Sequence, residues 1–172
     1  MKHIKLICLS LVSLTACGGS GDDTPSSSVV INEIMPSNKA TCADESGGYA
    51  DWIELYNKGA AAVDLGGYSL TDTPDVPRKA VLPAGLAIAP QGALLLWADN
   101  PTIPAANHLP FKLSAAGEGI SLFDPTGKRV DQFTWPTANT DVSFARVPNG
   151  TGAFVSCTAP TCGQPNGATC SK

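Results

Sequence analysis

The sequence predicts an all-β domain, an antiparallel sandwich of roughly 8–10 short strands. Three observations carry this. Charged residues make up only 15% of the 172-residue chain, against about 25% in an average globular domain. Gly (17) and Pro (14) are abundant, and long amphipathic helical patterns are absent. Short apolar runs recur between turn signals at intervals of about 8–12 residues, the spacing of a sandwich or barrel.

The runs follow in order. VVINEIM (29–35) is β-branched and stopped by Pro36. A polar loop over 37–48 carries Cys42, Asp44 and Glu45. In the next run, 52–57, Trp52, Glu54 and Tyr56 alternate with Ile53, Leu55 and Asn57, the period of a half-buried strand. Runs 62–65 and 68–72 flank Gly66-Gly67, which tolerates the positive φ of a tight turn. Runs 80–82, 86–88 and 93–98 are separated by Pro-Ala-Gly and Pro-Gln-Gly. Pro-rich loops occupy 73–78 and 101–107. Runs 111–113, 120–123, 129–135, 142–146 and 153–156 complete the series. About 130–140 residues of this kind bury roughly two-thirds of their unfolded surface, enough to fold without a partner subunit.

The N-terminus reads as an address. A basic start, Met1 to Lys5, precedes an apolar run of nine residues, 6–14. Nine residues are too few to cross a bilayer core of ~30 Å as a helix. The run ends in Leu14-Thr15-Ala16-Cys17, which resembles the signal of bacterial lipoproteins. That resemblance implies cleavage after residue 16, acylation of Cys17, and a flexible Gly/Ser-rich tether over 17–28. One acyl chain anchors only marginally, and lipoproteins of this kind carry two or three. Gly18, rather than Asp, after the acylated Cys points by analogy to the outer membrane rather than the inner. Removing Lys2 and Lys5 leaves nine basic against fifteen acidic residues, a net charge of −6. No basic patch stands out, so no nucleic-acid partner is expected.

Cys42, Cys157, Cys162 and Cys170 remain beyond the anchor, an even number in an exported chain. Two disulfides are expected, with three connectivities open. A bridge from Cys42 to the Cys-rich tail would close more than a hundred residues and contribute up to about 4–5 kcal/mol in the chain-entropy model. The tail spacings do not fit a zinc site.

INEI (31–34), DWIELYN (51–57), VDLGGYSLTD (63–72), LPAGLAIAPQGALLLWAD (82–99), GISLFDPTGKRVDQF (119–133) and SFARVPNG (143–150) together resemble the bacterial branch of the lamin tail domain family. The resemblance spans 29–166, within a domain taken as 29–172. It implies an immunoglobulin-like β-sandwich, and a protein-binding or structural role without catalysis. The expected partner is a protein or another component of the cell envelope, with the membrane reached through the N-terminal lipid. No cofactor is expected.

The residues leave narrower options. Glu33, Asp44, Asp51 and Glu54 form the one acidic grouping able to supply oxygen ligands to Ca²⁺. Paired carboxylates among Glu33, Asp51 and Glu54 could instead serve a hydrolase. Solvated strand faces and loop caps are the plainer expectation for these acids. Trp52, Trp97 and Trp135 could form a glycan platform, or pack the core. His108 is the only histidine after the signal and reads as a surface-loop residue.

Overall fold

The computed structural model describes residues 27–167 and Cys170. The expected signal (1–16), Cys17 and most of the expected tether (17–26) lie outside the described residues. Eleven strands and no α-helix occur among the described residues. They are β1 (Val29–Met35), β2 (Asp51–Asn57), β3 (Val63–Asp64), β4 (Ser69–Thr71), β5 (Ala80–Val81), β6 (Ala87–Ile88), β7 (Ala93–Ala98), β8 (Glu118–Phe123), β9 (Arg129–Trp135), β10 (Ser143–Val147) and β11 (Ala153–Cys157).

A five-stranded antiparallel sheet runs β11-β10-β1-β2-β7. A four-stranded antiparallel sheet, β5-β4-β8-β9, faces it, and β3-β6 forms a small third ladder. The core lies between the two large sheets. Ile31, Ile34, Ile53, Leu55 and Leu96 come from the first, and Leu70, Ile120, Leu122 and Trp135 from the second. This is the expected antiparallel sandwich.

Two strand expectations change. The run 111–113 forms no strand: one isolated bridge joins Asp99 to Lys112, while Phe111 and Leu113 still reach the core from a loop. Pro110 has no N–H to give a ladder, which keeps the segment irregular. The second change concerns β2. Alternation predicts a half-buried strand, yet every residue from Trp52 to Asn57 is buried. Ile53 and Leu55 face the core between the sheets, and the other face is also covered. Its cover is the 37–50 loop and the C-terminal segment 158–167, stapled together by the Cys42–Cys162 disulfide across 120 residues. A second disulfide, Cys157–Cys170, closes the tail on itself. Oxidised cysteines of this kind belong to an extracytoplasmic compartment.

Strand β1 carries a bulge that organises the rest. The register steps from Ile31↔Leu55 to Glu33↔Glu54, leaving Asn32 as the extra residue. Alternation is broken there, so Asn32 and Glu33 both serve the outer face. Strand β10 pairs with β1 only at Glu33 and Ile34. Beyond that point side chains replace the ladder. Asp131 Oδ2 of β9 accepts the Ile31 N–H at 2.8 Å, and Arg146 Nε donates to the Ile31 carbonyl at 2.8 Å. Arg146 also reaches both Asp131 oxygens, at 3.0 and 3.2 Å, and lies over the Phe154 ring. This pair ties the two sheets at the point where backbone pairing stops.

Arg146→Lys keeps the charge but loses the planar fork that serves Ile31, Gly152 and Asp131 together. The expected cost is about 1–3 kcal/mol, from charged hydrogen bonds lost at a mostly buried position. Urea unfolding of the two proteins measures it; an unchanged midpoint would show that the ladder does not depend on this side chain.

Candidate functional site

The four carboxylates considered for Ca²⁺ separate into three places. Asp44 caps its own turn, its Oδ1 accepting Ser46 N–H, Ser46 O–H and Gly48 N–H at 2.7–2.8 Å. Those bonds, led by the Ser46 hydroxyl, hold its carboxyl below the usual range. Asp51 accepts the Asn38 N–H at 3.0 Å, and burial raises its pKa. Glu33 and Glu54 alone come together, as directly opposed residues of β1 and β2. No group of three or more His, Cys, Asp or Glu side chains able to hold a metal occurs among the described residues.

Glu33 and Glu54 do not lie on a solvated face: both are fully buried. Glu33 accepts from Ser143 Oγ at 2.5 Å, and Thr161 Oγ1 lies 2.5 Å from its second oxygen. Glu54 accepts from Asn32 Nδ2 at 2.7 Å and from the Gly163 N–H at 2.8 Å. Asn149 and Asn166 extend the network, Asn149 Oδ1 accepting the Asn166 N–H at 2.8 Å. Burial raises both acids, and Glu54, with the charge of Glu33 adding to burial, is pushed up to about 7. The arrangement is closed to solvent and internally bonded, so it holds the 158–167 segment onto the sheet. The polar Asn32-Glu33 step inside a β-branched run was the sequence signal for it. Thr161, Gly163 and Asn166 gave none.

The tryptophans form no platform. Trp52, Trp97 and Trp135 are 0%, 5% and 2% exposed, so none offers a free ring face to a sugar. Trp135 donates its indole N–H to the Ser114 carbonyl at 3.0 Å.

His108 differs from the surface-loop expectation. Its side chain is 10% exposed and sits between Asp99 Oδ2 at 2.8 Å and Glu45 Oε1 at 2.9 Å. A carboxylate on each ring nitrogen requires a donor at both, which makes the ring an imidazolium. Burial opposes that charge, but the hydrogen bonds to Glu45 and Asp99 outweigh it and raise the pKa. Backbone bonds from Leu109 N–H to the Trp97 carbonyl (2.7 Å) and from Trp97 N–H to the Asn107 carbonyl (2.8 Å) lay this segment along the free edge of β7.

The segment walls an open cleft. About 590 Å³ lies between β5 on one side and the 101–110 loop on the other. Val81, Pro83, Pro101, Pro104, His108 and Pro110 are among its lining residues. Strand β5 is the edge of its sheet, paired only with β4. Four large hydrophobic residues, Tyr49, Val76, Val81 and Ile103, are exposed among the described residues; Val81 lines this cleft, and Ile103, 81% exposed, lies between its lining residues Pro101 and Pro104.

With the fold in place, a family profile decides the ancestry: the lamin tail domain matches residues 22–137. The chain belongs to the lamin tail domain family. No curated protein matches it. The cleft lies within the matched part of this lamin tail domain. The last two strands and the segment over Glu33 and Glu54 lie beyond it, so the match ends short of the 29–166 span read from the motifs. Strand β10 nevertheless pairs with β1, and the structural domain therefore extends past the matched residues.

His108→Ala tests the role of the bridged ring. Its raised folded pKa contributes stability that is fully present below the unfolded value of about 6.5 and is lost as pH rises through the folded value. The substitution should therefore lower the melting temperature more at about pH 5.5 than at about pH 8.5. An equal loss at both would mean that the ring acts through packing alone.

Proposed function

We propose that this lamin tail domain is a non-enzymatic, lipid-anchored binding module of the bacterial cell envelope, docking an extended segment of a partner protein in the cleft beside β5. The supporting observation is an apolar, proline-walled cleft bordered by an edge strand, with exposed Val81 in its lining and exposed Ile103 between its lining residues Pro101 and Pro104. An edge strand offers free backbone groups to an incoming strand, and neighbouring apolar hollows take its side chains. Contiguous exposed apolar surface on a small domain marks interaction sites. Its prolines carry no N–H, so the wall cannot compete with an incoming chain as a donor.

The absence of catalysis is supported by how the reactive side chains are occupied. Cys42, Cys157, Cys162 and Cys170 are oxidised. Glu33 and Glu54 are sealed from solvent, and both His108 nitrogens are taken by carboxylates. The Leu14–Cys17 signal supports attachment through acylated Cys17, in the outer membrane in preference to the inner.

A photo-crosslinking amino acid placed at position 81 or 103 in cells should give one discrete protein adduct, and the same probe at Thr151, on the exposed turn between β10 and β11 at the sheet edge opposite β7, should not. Val81→Asp should remove the adduct formed at 103. Adducts equal at all three positions, or none at 81 and 103, would overturn the docking face. The anchor is tested separately. Cys17→Ser should move the chain from the membrane to the soluble fraction, and retention in the membrane would refute acylation there.

A further inference from the structure

The hydrogen-bond directions around Glu33 do not close unless it carries a proton. Asn166 Nδ2 faces two carbonyls, of Asn32 at 3.2 Å and of Arg146 at 3.0 Å. Only a donor fits there, so the amide orientation is fixed and Oδ1 faces Thr161 Oγ1 at 2.7 Å. Thr161 must spend its single hydroxyl proton on that oxygen. The same Oγ1 lies 2.5 Å from Glu33 Oε2, and no further proton on Thr161 can fill that contact. The donor must be Glu33 itself. The chain then runs Glu33 O–H to Thr161 O–H to Asn166 Oδ1, while Ser143 donates to the other Glu33 oxygen and the Thr161 N–H lies 3.3 Å from both.

Glu54 is the opposite case. Asn32 is oriented because its Oδ1 accepts the Gly150 N–H at 2.8 Å, so its Nδ2 points at Glu54. Gly163 N–H takes the second oxygen. Two donors and no acceptor suit an ionised carboxylate. With Glu33 neutral, its charge no longer adds to the burial that raises Glu54, and the two donors favour the ionised form.

We infer that Glu33 and Glu54 form a one-proton latch that holds the 158–167 segment against the sheet and loosens when Glu33 loses its proton. Loss of that proton leaves one hydroxyl between two acceptors and puts like charges on directly opposed residues. None of the described residues that bond the pair is a cation. Strand β1 adds Asn32, β10 adds Ser143, the 148–152 turn adds Asn149 and Gly150, and the covering segment adds Thr161, Gly163 and Asn166. Opposite Glu54, β7 places Leu95. The guanidinium of Arg146 is committed to Asp131 and Ile31. The folded state holds more protons than the unfolded one, so the stability Glu33 contributes is present below the ordinary Glu value of 4.5 and is lost as pH rises through its raised folded value. The Cys42–Cys162 and Cys157–Cys170 bridges keep the loosened segment tethered.

Amide hydrogen exchange of the full disulfide-bonded chain reads the latch. Corrected for intrinsic rates, protection at Thr161 and Gly163 should fall by about tenfold or more between pH 5 and pH 8, the scale of losing a buried hydrogen bond. Glu33→Gln supplies a permanent donor to Thr161, and should keep these amides protected at pH 8. Glu54→Gln turns an N–H toward donors and should lose protection at both pH values. PH-independent protection in the natural chain, or the reverse order of the two variants, would overturn the assignment. Carbon-13 NMR of labelled glutamates gives a readout independent of variant folding. Near pH 6 one carboxyl resonance should be that of a neutral acid, and it should be absent from Glu33→Gln. Two ionised resonances would also overturn the proposal.

Discussion

The opposed pair of Glu33 and Glu54 is the constraint on which the five-stranded sheet depends. Two carboxyls at the middle of a central strand pair cannot remain in a dry interior without partners. Nor can the sheet leave that face open, because Met35 and Trp52 on the same side are wholly buried as well. The outer face must therefore be covered by a layer that is apolar at one end and rich in donors at the other. The chain builds it from two pieces far apart in sequence. The 37–50 loop brings Cys42 to Met35, Trp52 and Trp97, and the 158–167 segment brings Thr161 and Gly163 to the carboxyls. The Cys42–Cys162 bridge joins the pieces where the apolar and polar ends meet. The C-terminal tail is thus a third layer of the domain.

The same logic explains where the sandwich stays open. Closing it beside β5 would require a longer strand there or a strand in the 101–110 loop. Pro83 follows β5 closely, and Pro101, Pro104 and Pro110 punctuate the loop. None can donate to a ladder, and each disfavours helix at the residue before it. The loop instead follows β7 for a few residues around His108, fixed by two backbone bonds and by carboxylates on both ring nitrogens. A cleft remains between two edges that cannot pair with each other. The composition that makes the cleft apolar is the one that keeps it open.

Much of the sandwich was legible because strand periodicity and turn chemistry are local. Strands 29–35, 93–98 and 129–135 coincide with β1, β7 and β9 in full. Gly66-Gly67 marks a turn whose second residue has φ +83°, and Pro90-Gln91-Gly92 separates β6 from β7. Non-local features were illegible. Alternation in DWIELYN correctly divides β2 into two faces, but nothing local says that a segment over a hundred residues away covers the second. The burial of Glu54 is set by Gly163 and that of Glu33 by Thr161, and neither distance in sequence is encoded in a motif. Likewise His108 reads as a loop residue until Asp99 and Glu45 are brought to it from β7's end and from the 37–50 loop. Cysteine count indicated two bridges, while their connectivity depended on which loop reached the outer face.

The covering segment also shows how covalent and polar ties divide the work. A disulfide fixes the position of Cys162 but not the direction of the neighbouring backbone. Cys162 itself has φ +51°, a left-handed conformation that costs a non-glycine residue on the order of 1 kcal/mol. Gly163 follows with φ +82°, a conformation glycine adopts freely. Two successive residues in this region turn the chain so that the Gly163 N–H points inward at Glu54. The strain at Cys162 is therefore offset by a charged hydrogen bond one residue on. Were Glu54 neutral, that bond would weaken to an ordinary one and the left-handed turn would lose part of its support. Thr161, on the other side of Cys162, meets the neutral partner, where a hydroxyl can both accept and donate. Charge on Glu54 and a proton on Glu33 are each matched to the backbone on their own side of the disulfide, which is why one proton in the pair suits this segment better than none or two.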